Sequence, residues 1–155
     1  MKTEHNLEPG RGVKQPPPVP ILMVEDERDY ALLIQETIGE PSAPYLLQVV
    51  ESGEDAIAYL SGEGKFADRS EYPFPFLILL DLKMPGTGGF GVLRWLLEHP
   101  DIKHKLKVVI LSGIHSRKEI EVVYELGAQL FWAKSDTDSL QEGLRRMKES
   151  WLQFN

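Results

Sequence analysis

The stretch FLILLDLKMPGTGGF, residues 76–90, decides the fold. Five consecutive apolar side chains at 76–80 show no polar alternation, so they read as a strand buried on both faces, and Asp81 follows at once. Phe90, Leu93, Leu96 and Leu97 then recur at helical spacing, which places a helix with one apolar face directly after the loop. A buried strand followed by a covering helix is the unit from which parallel sheets are built.

The same unit repeats on either side. Residues 21–24, 45–50, 107–111 and 129–133 read as further strands, and the first, third and fourth of the five in chain order are apolar rather than alternating. Between them Tyr30, Leu33, Ile34, Thr37 and Ile38 mark one face of a first helix, Ala56, Ile57 and Leu60 a second, and Ile120, Val123 and Tyr124 a fourth. Leu140, Leu144, Met147, Trp151 and Phe154 step along a fifth, a stripe that fits either packing on the sheet or a seam between subunits. Five strands and five helices in strict alternation predict an α/β domain over residues 20–155 with an open, doubly wound parallel sheet. Residues 1–19 differ, with Pro9, Pro16, Pro17 and Pro18 beside Gly10 and Gly12. They read as a flexible or polyproline-like tail; an SH3-like groove could take such a stretch, but no function is assigned to it.

In an open parallel sheet, ligands bind beyond the carboxyl ends of the strands. The residues there form a coherent set: Glu25 and Asp26 after the first strand, Asp81 after the third, Ser112 and Gly113 after the fourth, and Lys134 after the fifth. A solvated acidic loop would account for any one of them, but poorly for all of them together. Three carboxylates held close repel one another unless a cation compensates, and magnesium, which takes oxygen ligands and keeps several waters, suits such a site. A metal there could neutralise charge on a phosphoryl oxygen, Lys134 adds a second cation, and the Ser112 hydroxyl adds a hydrogen bond. One carboxylate can then act as a nucleophile and form an acyl phosphate.

These segments, ILMVEDE (21–27), LILLDLKMPGTGGF (77–90), VVILSG (108–113) and FWAKS (131–135), resemble the receiver domain of two-component response regulators. The resemblance covers about 135 residues, from Pro20 to the C-terminus. It implies a flavodoxin-like sheet of order 2-1-3-4-5, with Asp81 as phosphoacceptor. By the same resemblance Glu25, Asp26, Asp81 and the Lys83 carbonyl hold Mg2+, Ser112 is the switch hydroxyl, Lys134 binds the phosphoryl group and Phe131 is the aromatic switch residue. Gly89 matches the glycine where the loop after the third strand enters the next helix. The long connection 61–75, the segment YELGAQLF (124–131) and Trp151 are similar to receivers that work with phytochrome-type histidine kinases. The partner implied is a sensor histidine kinase or a phosphotransfer protein, followed by an unknown downstream protein. One departure is Ser135, where the family usually has a proline in a cis peptide; a non-proline cis bond costs about 2.5–4 kcal/mol, so the bond is either trans or strained. Phe131 and Glu25 replace the commoner tyrosine and aspartate.

Trp132 should face away from Phe131, because strand side chains alternate. It reads as packing under the last helix or as part of an apolar patch on the face of the fourth helix, fifth strand and fifth helix, through which a homodimer would form. His99 and His104 are five residues apart and are not expected to bind metal together. Lys103, His104, Lys105 and Lys107 read as a solvated basic loop.

Composition bounds the function further. The chain has 155 residues, with 17 basic against 24 acidic side chains and a formal charge of −7, so duplex nucleic acid is a poor partner. It has no cysteine, which excludes disulfides, thiolate metal sites and cysteine nucleophiles. Its apolar runs are too short to span a bilayer and no signal peptide is evident, so a cytoplasmic protein without membrane partners is expected. An aspartate-nucleophile phosphatase would need an acid where Lys83 stands, and a flavin carrier would put phosphate against Glu25 and Asp26. The remaining alternative is a receiver-like binding module that works without phosphorylation.

Overall fold

Strand β1 (Val19–Val24) carries apolar side chains to both faces, and all six of its residues are buried. The sheet has the order β2 (Tyr45–Val50), β1, β3 (Leu77–Asp81), β4 (Lys107–Ser112) and β5 (Leu130–Ala133), with every neighbouring pair parallel. Val24 lies opposite both Val50 and Leu80, Leu80 opposite Ile110, and Ser112 opposite Ala133. The register therefore brings the carboxyl ends of the strands to one rim, as the order 2-1-3-4-5 requires. The computed structural model describes residues 18–38, 45–113 and 116–154, with backbone alone at 151, 152 and 154. The proline-rich stretch up to residue 17 and the Trp151 and Phe154 side chains lie outside the described residues.

Strand alternation divides the core in two. Leu22, Val24, Ile78, Leu80, Val108 and Ile110 face α2 (Gly53–Ser61), α3 (Gly88–Glu98) and α5 (Arg117–Glu125), where Ala56, Leu93, Leu96 and Val123 meet them. Ile21, Met23, Leu77, Leu79, Val109 and Leu111 face α1 (Arg28–Ile38) and α6 (Thr137–Phe154), where Ala31, Ile34, Leu140 and Leu144 close the other layer. Helix starts are set by side chains that accept orphaned amides. Ser52 Oγ accepts from Asp55 N at 3.1 Å, Ser116 Oγ from Glu119 N at 3.2 Å, and Asp136 Oδ1 from Ser139 N at 3.0 Å.

Several expectations need correction. The described residues contain six α-helices rather than five, because α4 (Pro100–Lys103) adds one turn with proline at its start, and a 3-10 turn (Gly64–Phe66) adds another. β1 begins at Val19, within the stretch assigned to the tail. Leu33, Leu97 and Tyr124 are exposed, not core. Each sits at the margin of its stripe; α1 buries Ala31, Ile34 and Ile38 instead, and α3 buries Val92 with Leu93 and Leu96. Phe131 and Trp132 do point to opposite layers, and Trp132 packs with Leu140 and Leu144 under α6. A Cβ at Gly143 would lie 2.1 Å from the Trp132 ring, so the ring rests directly on the helix backbone there.

Candidate functional site

Asp81 is the last residue of β3 and is 2% exposed. Its Oδ1 accepts the Lys83 amide at 3.1 Å, and its Oδ2 lies 3.2 Å from Lys134 Nζ. Glu25 directly follows β1, anchored by its amide to Val50 O at 2.9 Å, and is equally buried. Its Oε1 accepts the Glu27 amide at 3.1 Å, and Oε2 lies 2.9 Å from Lys134 Nζ. Asp26, beside it, is exposed. Glu25, Asp26 and Asp81 each offer one oxygen, all three within 4.8 Å of one another.

The cation comes from the adjoining strand ends. Lys134 follows β5, and its amide donates to Ser112 O at 3.0 Å, which ties the lysine to the end of β4. Ser112 is fully buried at that end. The Lys134–Ser135 bond is trans, which resolves the alternative posed by the missing proline. Phe131, half-buried in β5, packs on the α2–α3 layer. Gly89 is required by close approach, since a Cβ there would lie 2.3 Å from Asp81 O.

Burial pushes the Glu25 carboxyl up to about 7; the charge of Asp81 adds to the shift, while the hydrogen bond from Lys134 opposes it. Burial also disfavours the Lys134 ammonium, but its hydrogen bond to Glu25 and the charges of Asp81 and Glu25 outweigh that and raise its value. One ammonium thus pairs with two of the three clustered carboxylates. Such an all-oxygen donor set short of positive charge fits a hard divalent cation.

Some of the surrounding contacts could not be read from the sequence. Lys83 turns its ammonium away to Glu119 Oε1 at 3.0 Å, leaving its backbone beside Asp81. Thr87 is bound through its hydroxyl and amide to Glu54, which fixes the loop after β3 against the start of α2. The face of Tyr30, read as a plain stripe residue, lies 4.6 Å from Lys134 Nζ. His99 Nδ1 lies 2.7 Å from Trp95 O and its ring stacks on Trp95.

The model of the response regulator receiver domain matches residues 21–145. The chain belongs to this receiver family. It is 31% identical over 138 residues to response regulator Rcp1 of Synechocystis sp., covering 88% of this chain and 91% of that protein. Among solved structures, the phosphorylated cyanobacterial phytochrome response regulator RcpA superposes with a TM-score of 0.74 at 31% identity, covering 90% of this chain and 97% of that one. The Mn(2+)-bound form of Rcp1 gives 0.71 at 30% identity, covering 82% and 91%. This receiver is thus a response regulator of two-component signalling, a phosphorelay protein close to the phytochrome-associated group. Among the described residues, no helix is long and apolar enough to cross a membrane.

Proposed function

We propose that this receiver is a Mg2+-dependent switch phosphorylated on Asp81, with the domain that begins at β1 as the working unit. The observation that carries the reading is the burial of Asp81 at a strand end within reach of one ammonium and two further carboxylates. An Asp81 carboxylate oxygen attacks the phosphorus of a phosphohistidine; the O–P bond forms, the P–N bond breaks, and the electron pair returns to the imidazole. Glu25, Asp26, Asp81 and the Lys83 carbonyl would hold Mg2+, which when bound neutralises charge on the phosphoryl oxygens. That phosphorylated RcpA and Mn(2+)-bound Rcp1 are similar to this chain supports both assignments.

Lys134 and the Ser112 hydroxyl bind the new phosphoryl oxygens, and the movement of Ser112 makes room for Phe131 to turn inward. The changed surface is read by proteins. The donor is a sensor histidine kinase, of the phytochrome type by analogy with the relatives, or a phosphotransfer protein. The output is a downstream protein or a homodimer through α5, β5 and α6, and the protein works in the cytoplasm without nucleic acid or membrane. It takes part in its own phosphorylation and dephosphorylation and is otherwise not an enzyme.

The test is incubation with acetyl phosphate, with and without Mg2+, followed by intact mass. One phosphoryl group should be gained with metal and none by Asp81→Asn. No gain by the wild type under either condition would overturn the reading in favour of a phosphate-independent binding module.

A further inference from the structure

Lys134 is held in an unusual way for a lysine whose neighbour, Ser135, gives the chain no ring to stiffen it. Its ammonium meets Glu25 Oε2 at 2.9 Å and Asp81 Oδ2 at 3.2 Å, with only 14% of the side chain exposed. Two contacts leave a flexible four-carbon arm able to swing about the line joining them. The third contact is the face of Tyr30, 4.6 Å away, on the side of α1. An aromatic face attracts an ammonium through its quadrupole, more strongly where water is excluded.

The hydroxyl of Tyr30 does not explain why tyrosine stands there. It is buried and has no hydrogen-bond partner among the described residues, and burial pushes it up to about 12, so the ring stays neutral. Tyr30 is half-buried and packs with the α1–α6 layer, so α1 holds the ring rigidly. A neutral ring fixed by the core presents its face to the Lys134 ammonium, while its polar tip bonds nothing among the described residues.

We propose that Tyr30 is a positioning residue for Lys134, its ring face fixing the ammonium where the phosphoryl group on Asp81 arrives. The proposal rests on the phosphoacceptor reading for its function, though the contact itself does not depend on it. It requires the ring and not the hydroxyl. Phenylalanine keeps the face, and leucine or methionine keeps apolar bulk without it.

Two readouts separate the contact from the chemistry. The first is acylation of lysines by acetic anhydride, read by peptide mass spectrometry, with exposed Lys118 as internal reference. Lys134 should react about threefold to tenfold faster relative to Lys118 in Tyr30→Leu and Tyr30→Met, and as in the wild type in Tyr30→Phe. The second is the rate of phosphorylation by acetyl phosphate with Mg2+, which should fall by a similar factor in the leucine and methionine variants and be restored in Tyr30→Phe.

Equal behaviour of Tyr30→Met and Tyr30→Phe in both assays would overturn the proposal. So would a loss in Tyr30→Phe as large as in Tyr30→Leu, which would assign the work to the hydroxyl. Methionine, unbranched and adaptable, guards against a leucine variant that fails to fold. If the wild type takes up no phosphoryl group, the functional reading fails alone, and the acylation pattern still decides the contact.

Discussion

Of the cations that lie against aromatic rings, Lys134 at the strand ends and Arg69 in the connection between α2 and β3 are held by opposite kinds of partner. Arg69 donates through Nη1 to Tyr59 O at 2.8 Å and Tyr72 O at 3.2 Å, and through Nη2 to Leu60 O at 3.0 Å. Its guanidinium lies 5.8 Å from the ring centres of Tyr59 and Phe74. Every partner is neutral, and two of the carbonyls belong to the last turn of α2, where the arginine adds to the Gly62 amide in capping the helix end. Lys134 instead faces two carboxylates. Neutral carbonyls alone bring no negative charge to offset a metal ion and cannot be phosphorylated, so Arg69 fixes a shape. Carboxylates can exchange an ammonium for another cation, so Lys134 holds a site that can change state.

Removing each cation in turn sharpens this contrast. Arg69→Ala removes a donor from three carbonyls, of which Tyr59 O keeps the Gly62 amide at 3.1 Å, and unseats the cluster of Tyr59, Phe66 and Tyr72, whose rings lie 5.1–6.0 Å apart. The expected loss in urea unfolding is about 3 kcal/mol, and Arg69→Lys recovers less than half, since an ammonium cannot reproduce the planar fork. Added Mg2+ should change neither value. A loss below about 0.5 kcal/mol would make the connection a surface loop and dissolve the comparison.

Lys134→Ala comes next in size. Without metal it leaves Glu25 and Asp81 buried with no ammonium between them, and a loss of about 2 kcal/mol at neutral pH is expected. Here millimolar Mg2+ should restore most of the stability by binding the folded state, and chelation should remove it again. Unfolding curves of both variants with Mg2+ and with chelator make the check. Rescue of both variants, or of neither, would break the distinction between a fixed cation and an exchangeable one.

The two cations also differ in how far they could be read from the sequence. Lys134 was legible because topology does the work: in a parallel sheet, residues just after apolar runs converge whatever the loops do. Arg69 was not. Its partners Tyr59, Leu60 and Tyr72 are joined by a fold of the connection that no periodicity encodes, and residues 61–75 read only as a long link. The contact of Tyr30 with Lys134 was hidden for a related reason, since a half-buried aromatic on a helical stripe has the same spacing whether it meets a leucine or an ammonium. Leu33, Leu97 and Tyr124 mark the limit of the stripe itself. On a short helix the apolar arc fixes which side faces the core to within about one residue, and whether a marginal leucine is covered depends on the neighbouring element.

The smallest effect concerns how carboxylates in the two regions respond to acid. Asp68, next to Arg69, accepts the Ser70 hydroxyl at 2.6 Å and the Ser70 amide at 2.9 Å, and these bonds hold its carboxyl below the ordinary 3.8. A lowered value means that the contribution to stability is complete above the ordinary carboxylate value and is lost as pH falls through the lowered one. The Ser70 amide proton should therefore titrate by NMR with a midpoint below 3.8, and in Asp68→Asn it should not move over that range. Glu25 runs the other way. Its value is raised, so the fold favours its protonated form, and lowering pH through about 7 relieves the metal-free site where it later loosens the connection. A Ser70 midpoint at or above 3.8 would mean that the hydrogen bonds at Asp68 do not favour its charge. The connection would then be held by Arg69 and its rings alone.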